Sequence, residues 1–267
     1  MEVKKILGKV WIAIGAVFIF SSVSFAAHPL ITDDTGTQGK ERMQIEINDE
    51  VSSDKSTEGG VTTKTEGRGI AAILSYGITD SADIIIGLPY QWSKTTLDDV
   101  MQFDESGIAD MSLEAKWRFF EKDGFSLALK PGVTLPTGDE NKGLGNGKAS
   151  YSLTFIPMLE AEPWMLHLNL TYTHNEYKLE ADKDAKRNDI WHLSLAGGVD
   201  IAEGLTVVGN VGMETNEDKS SGKAPAFILG GIIYSVSESF DIDAGVKAGL
   251  NEPETDITYL AGLAVRF

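Results

Sequence analysis

The sequence predicts an all-β fold: a closed antiparallel transmembrane β-barrel of about 12 strands behind an N-terminal signal peptide. Three observations predict it. Apolar residues recur at every second position through most of the chain, the spacing that gives a strand one apolar and one polar face. The connections between these stretches alternate between short and long, the plan of outer-membrane barrels. The chain also opens with an export signal.

Composition narrows the function classes. There are 267 residues, with 23 Lys+Arg against 40 Asp+Glu and a net charge of -17. Such a surface lacks the basic patch that nucleic acid requires, so no nucleic-acid partner is expected. Cysteine is absent, which excludes a disulfide framework, thiolate metal sites and a Cys nucleophile. Mean hydropathy is -0.09. That value suits an ordinary soluble domain, and equally the average of strands with one lipid face and one wet face.

Taken in order, the first element is the signal. Lys4, Lys5 and Lys9 precede an unbroken apolar run over 10–20, and Ser24-Phe25-Ala26 fits a small-x-small cleavage site. The run is too short to span a bilayer as a helix. Residues 1–26 are therefore set aside as a signal peptide. Residues 27–40 form an N-terminal periplasmic or plug-like segment. In it, Thr32, Asp33, Asp34, Gly36 and Thr37 either fold into the lumen, with the two Asp facing Lys116, Arg118 or Lys130, or make a turn and tether before the first strand.

The barrel occupies 41–267. Its predicted strands are 41–48, 62–76, 83–92, 108–120, 125–137, 151–159, 164–173, 191–199, 205–214, 224–234, 240–250 and 256–267. The clearest places Met111, Leu113, Ala115, Trp117 and Phe119 on one face, with Ser112, Glu114, Lys116 and Arg118 on the other. Typical lengths match the ~9–11 residues of a tilted membrane strand. Short connections lie at 77–82, 121–124, 160–163, 200–204 and 235–239. Long ones lie at 49–61, 93–107, 138–150, 174–190 and 215–223. Both termini then fall on the short-turn, periplasmic side.

A soluble β-sandwich also alternates, but these apolar faces persist longer than most sandwich strands. Aromatics also gather in two bands: Tyr90, Trp92, Tyr151, Tyr172 and Trp191 near the long loops, and Tyr76, Trp117, Phe119, Phe125, Trp164, Tyr234, Phe240 and Phe267 near the short turns. Such bands sit at membrane interfaces.

The lumen set is Glu114, Lys116, Arg118, Lys130, His167, His192, Glu214, Asp241, Asp243, Lys247 and Arg266. Many other inward positions are small, among them Ser126, Ala128, Gly132, Ala196, Gly245 and Gly262. A 12-strand barrel lies between packed 8-strand and wide 16-strand barrels, so a narrow passage is expected. His192 and Ser194 stand two apart, as the catalytic pair does in outer-membrane phospholipases. Trp191 and Leu193 claim the lipid side, so this pair points inward, away from lipid substrate. The four His are not spaced as metal ligands. The 139–141 and 182–184 clusters lack a calcium-loop spacing, and 143–148 departs from a phosphate loop. No cofactor or metal is expected.

The chain ends in Phe267, which resembles the C-terminal aromatic recognised by the barrel-assembly machinery. Three further stretches carry a family resemblance: His28-Pro29-Leu30-Ile31-Thr32-Asp33-Asp34-Thr35-Gly36-Thr37-Gln38-Gly39-Lys40; Leu135-Pro136-Thr137-Gly138-Asp139 with Gly143-Leu144-Gly145-Asn146-Gly147; and Gly107-Ile108-Ala109-Asp110. Together they resemble the MetA-pathway of phenol degradation family of outer-membrane transporters. The resemblance implies a β-barrel that transports small, often aromatic, organic compounds, and it fixes no substrate.

The function expected is passive passage of small organic solutes, without covalent chemistry. A non-conducting structural or surface-interaction barrel is the first alternative, and a barrel lipid hydrolase the remote one. Expected partners are outer-membrane lipid and lipopolysaccharide, the latter through divalent cations shared with rim carboxylates, along with the barrel-assembly machinery and a small-molecule solute.

Overall fold

A computed structural model describes residues 28–58 and 60–267. The predicted signal peptide, 1–26, lies outside the described residues. The sheet runs β1 (Met43–Glu58), β2 (Val61–Thr79), β3 (Ala82–Leu97), β4 (Val100–Ile108), β5 (Met111–Lys122), β6 (Phe125–Leu135), β7 (Ser150–Ala161), β8 (Trp164–His174), β9 (Asp189–Ala202), β10 (Leu205–Glu214), β11 (Ala226–Ser237), β12 (Phe240–Gly249) and β13 (Ile257–Arg266). Each pairs antiparallel with its neighbour, and β1 pairs β13 from Gln44↔Arg266 to Ser53↔Ile257. The sheet thereby closes on itself and leaves no edge in the membrane.

Thirteen segments make a 12-strand barrel because β4 and β5 are two halves of one strand. β5 pairs the lower half of β3, Ala82↔Trp117 to Gly87↔Ser112. β4 pairs the upper half, Tyr90↔Ile108 to Leu97↔Val100. The break falls at Ala109 and Asp110. The strand number and the closed barrel are those the alternation predicts.

Two expected loops are instead strand. β1, β2 and β3 are 16, 19 and 16 residues long, well beyond what crossing a bilayer needs. Residues assigned to loops at 49–58 and 93–107 continue as hairpins above the membrane band. There both faces are polar, with Thr62, Thr63, Lys64, Thr65 and Glu66 in succession, so apolar alternation vanishes while Thr still suits a strand. Apolar alternation marks the membrane band, not the strand.

Outward positions carry the lipid face. Leu113, Trp117, Leu166, Leu193, Val211, Ile232 and Ile242 are all exposed on the single chain. Aromatic pairs sit in both bands: Tyr90 with Trp92 (centroids 4.5 Å apart) and Tyr172 with Trp191 (5.0 Å) on one side, Trp117 with Phe119 (5.7 Å) on the other. A closed barrel with this belt is an outer-membrane protein.

Both ends of the barrel chain meet at the short-turn rim, where Met43 and Phe267 exchange backbone hydrogen bonds. From there residues 28–42 turn inward. Glu41 N–H donates to Gly77 O and Gly77 N–H to Arg42 O. The contact is so close that a Cβ on Gly77 would lie 1.8 Å from Gly39 O, which only glycine allows.

Candidate functional site: the filled lumen

The N-terminal segment crosses the lumen by touching one strand after another. Gln38 N–H donates to Asp83 Oδ2 on β3 (2.9 Å). Thr35 Oγ1 lies 2.6 Å from Ser126 Oγ on β6. Asp33 N–H donates to Asn169 Oδ1 on β8 (2.8 Å), and Asn169 Nδ2 returns a bond to Asp33 O. Thr32 Oγ1 donates to Ser194 Oγ on β9 (2.8 Å). Ile31 and Thr32 N–H both donate to Asn210 Oδ1 on β10 (2.8 and 3.1 Å). Pro29 fits where Gly231 on β11 and Gly245 on β12 carry no side chain. His28 Nδ1 lies 2.5 Å from Asp243 Oδ1 on β12. A coil buried inside a barrel needs partners for its backbone, and the wall amides and hydroxyls supply them.

Two anchors differ in kind. Leu30 sits among Ala196, Val208, Phe227, Leu229, Ile233 and Leu260, a buried apolar patch on the inner wall. So the lumen face is not uniformly wet: β11 is apolar on both sides. Asp33 is the ionic anchor, with Lys116 Nζ at 2.8 Å on Oδ1 and Lys130 Nζ at 2.8 Å on Oδ2. Lys116 also lies 3.5 Å from Asp34, and Lys130 3.4 Å from Glu114. Burial pushes the Asp33 carboxyl up, but Lys116 and Lys130 outweigh it and hold the group below the usual carboxylate range.

The other lumen residues do not converge on one site. Arg118 stays at the short-turn rim, 3.1 Å from Glu121 and bonded to Asp80 O, and does not reach Asp33 or Asp34. Asp241 pairs Arg266, which also donates to Gln44 Oε1 across the β13–β1 closure. His192 lies 3.3 Å from Glu214, and Lys247 2.8 Å from Glu254, both toward the long-loop end. His167 is buried, and among the described residues neither ring nitrogen has a hydrogen-bond partner. Gly36 N–H is turned onto Asp34 Oδ1 (2.6 Å), and Thr37 Oγ1 donates to Asp80 O (2.9 Å).

The residues that sequence reasoning passed over as ligands of the segment are Asn169, Asn210, Ser126 and Asp83. The available signal was an Asn in mid-strand, where Asn is depleted unless something needs it.

Among the described residues, three cavities border the segment. One of about 250 Å³ and one of about 200 Å³ lie along β1, β2 and β3, and a third of about 150 Å³ lies between Ile31, His192, Phe227 and Lys247.

The fold is shared with solved outer-membrane barrels. An outer membrane channel from Pseudomonas putida F1 superposes with a TM-score of 0.66 at 13% identity, covering 88% of this chain and 98% of that one. The KdgM porin, in complex with disordered oligogalacturonate, gives 0.56 at 9% identity over 84% and 99%. The translocator domain of autotransporter NalP from Neisseria meningitidis gives 0.53 at 12% identity over 86% and 89%. No curated protein matches the chain. A family profile matches the whole barrel and most of the lumen segment, residues 32–267: the chain belongs to the family described as "Putative MetA-pathway of phenol degradation".

Proposed function

We propose that the protein is a passive outer-membrane channel for small organic solutes, with residues 28–42 as the plug that controls it. The observation that carries this reading is the polar seat. Apart from the apolar contact of Leu30, the segment is held by hydrogen bonds to many strands and by ion pairs at Asp33 and His28, inside a barrel that is closed without it. Such contacts exchange readily for water, so the segment can leave while the wall stays intact. The family description favours aromatic solutes, and the shared fold of a channel and a porin supports passage. Catalysis is not part of the reading, because Ser194 is engaged by Thr32 and His192 by Glu214. Assembly through Phe267 and rim contacts with lipopolysaccharide belong to the same proposal.

The absence of native cysteine gives a direct test. Thr32 and Ser194 touch through their hydroxyls at 2.8 Å, near enough for a cross-link. The parent protein should show discrete conductance steps in planar bilayers. The Thr32→Cys, Ser194→Cys variant should stay shut when oxidised and recover on reduction. Silence of the parent and of the reduced variant overturns the channel and leaves a structural barrel. Steps that persist after oxidation overturn the plug alone.

A further inference from the structure

The N-terminal segment fills the lumen unevenly. It touches the wall from β6 through β12, reaches β2, β3 and β5 through Glu41, Gln38 and Asp33, and leaves space along β1, β2, β3 and β5. Two cavities occupy that space, and both touch His28, Leu30, Ile31 and Asn48. The outer one has a mainly apolar lining that includes Ile70, Pro89, Tyr90 and Leu260.

The inner cavity is different in chemistry. Four carboxylates face it, Asp33, Glu46, Asp83 and Glu114, against two ammonium groups, Lys116 and Lys130. Both lysines are engaged by Asp33, and further by Asp34 and Glu114. Among the described residues, neither Glu46 nor Asp83 has a basic group within ion-pair distance. Asp83 is 2% exposed. Its Oδ2 accepts from Gln38 N–H, and among the described residues its Oδ1 has no hydrogen-bond partner. A buried acceptor left unpaired is costly, so a donor that reaches it is bound. A donor carrying positive charge is favoured further by the surplus of carboxylates.

We propose, building on the channel reading above, that this inner cavity is a binding station for small organic cations. An ammonium group donates to Asp83 Oδ1, while the apolar body of the solute rests on Ile85. The size admits a single-ring amine. Solutes bearing a carboxylate meet the same charges as repulsion. The station therefore selects by charge, beside an outer cavity whose lining is mainly apolar.

Benzylamine (protonated at neutral pH), benzyl alcohol and benzoate share one ring and differ only in headgroup. Their binding to the full chain in detergent is read by calorimetry, and their flux in proteoliposomes. Benzylammonium should bind about tenfold or more tighter than benzoate, the scale of one charge-assisted hydrogen bond, with benzyl alcohol between them. Asp83→Asn should remove most of the preference for benzylammonium over benzoate, provided its heat-modifiable gel migration matches the parent. Equal binding of benzoate and benzylammonium by the parent overturns the station. So does an unaltered preference in folded Asp83→Asn. If no solute crosses the membrane, the channel reading fails, while calorimetry still decides the station.

Discussion

Asp33 holds together two lysines from two strands, one on each carboxylate oxygen. Breaking a buried pair by removing one partner costs ~3–5 kcal/mol, because the remaining charge stays buried. Asp33→Asn should therefore loosen the seat and lengthen the open time of single channels. The pH dependence follows from the sign of the shift. Burial opposes ionisation of Asp33, but Lys116 and Lys130 prevail and place it below its ordinary 3.8. A group depressed on docking stabilises the docked state fully above its ordinary value, and that contribution is lost as pH falls through the lower one. Conductance should thus be flat through this group between about pH 5 and pH 7 and rise only in strong acid. A rise beginning near neutral pH in bilayer recordings would contradict it. At this scale the lysines were legible, since an inward Lys on an alternating strand must find a carboxylate. The amides were not. Asn169 and Asn210 serve backbone N–H groups well over a hundred residues away, and no local pattern records such a partner.

At the scale of the element, the informative place is the break between β4 and β5. Asp110 accepts from Gly138 N–H (2.9 Å) and Asn146 N–H (2.8 Å), tying the 138–147 loop to the barrel wall. Thr137 Oγ1 bridges the same break, accepting from Met111 N–H and donating to Ala109 O. The loop lies along β4, with Lys142 3.2 Å from Glu105. Replacing Asp110 by Ala leaves two partly buried N–H groups unpaired, at about 1–3 kcal/mol for such a loss. Limited proteolysis should then cut the 138–147 loop faster, with the barrel core intact; unchanged cleavage would show that the clamp is not what holds the loop. The Gly107-Ile108-Ala109-Asp110 and Leu135-Pro136-Thr137-Gly138-Asp139 stretches flagged in the sequence are the two sides of this clamp. Strand ends were the least legible elements. The apolar signal stops at the membrane boundary, whereas the hydrogen-bond ladders of β1, β2 and β3 run on through Ser, Thr, Lys and Glu.

For the whole molecule, closure dominates. The β1–β13 ladder completes the ring, and Phe267 finishes it through backbone bonds to Met43 while its side chain stays exposed. The intact barrel should migrate faster on detergent gels before boiling than after. Phe267→Ala keeps the backbone bonds, so refolded protein should behave as the parent does, while the yield in the outer membrane of cells should fall several-fold. An unchanged cellular yield would separate Phe267 from assembly. Fold class, strand number and the two aromatic bands were legible because lipid on one side and water on the other force period two on every strand. The contents of the lumen were less so, because a wet face tolerates almost any polar residue and the apolar patch around Leu30 looks, in sequence, like more lipid face.

The lumen segment has a consequence for biogenesis. Its partners run from Asp83 on β3 to Asp243 on β12, up to 215 positions from the residue they hold. The segment leaves the export machinery ahead of every strand, yet its seat does not exist until nearly the last strand is in place. Loop closure of that span must precede the contacts that reward it. Each new copy therefore completes the seat only once β12 has joined the sheet, and filling the lumen is a late step in building the molecule.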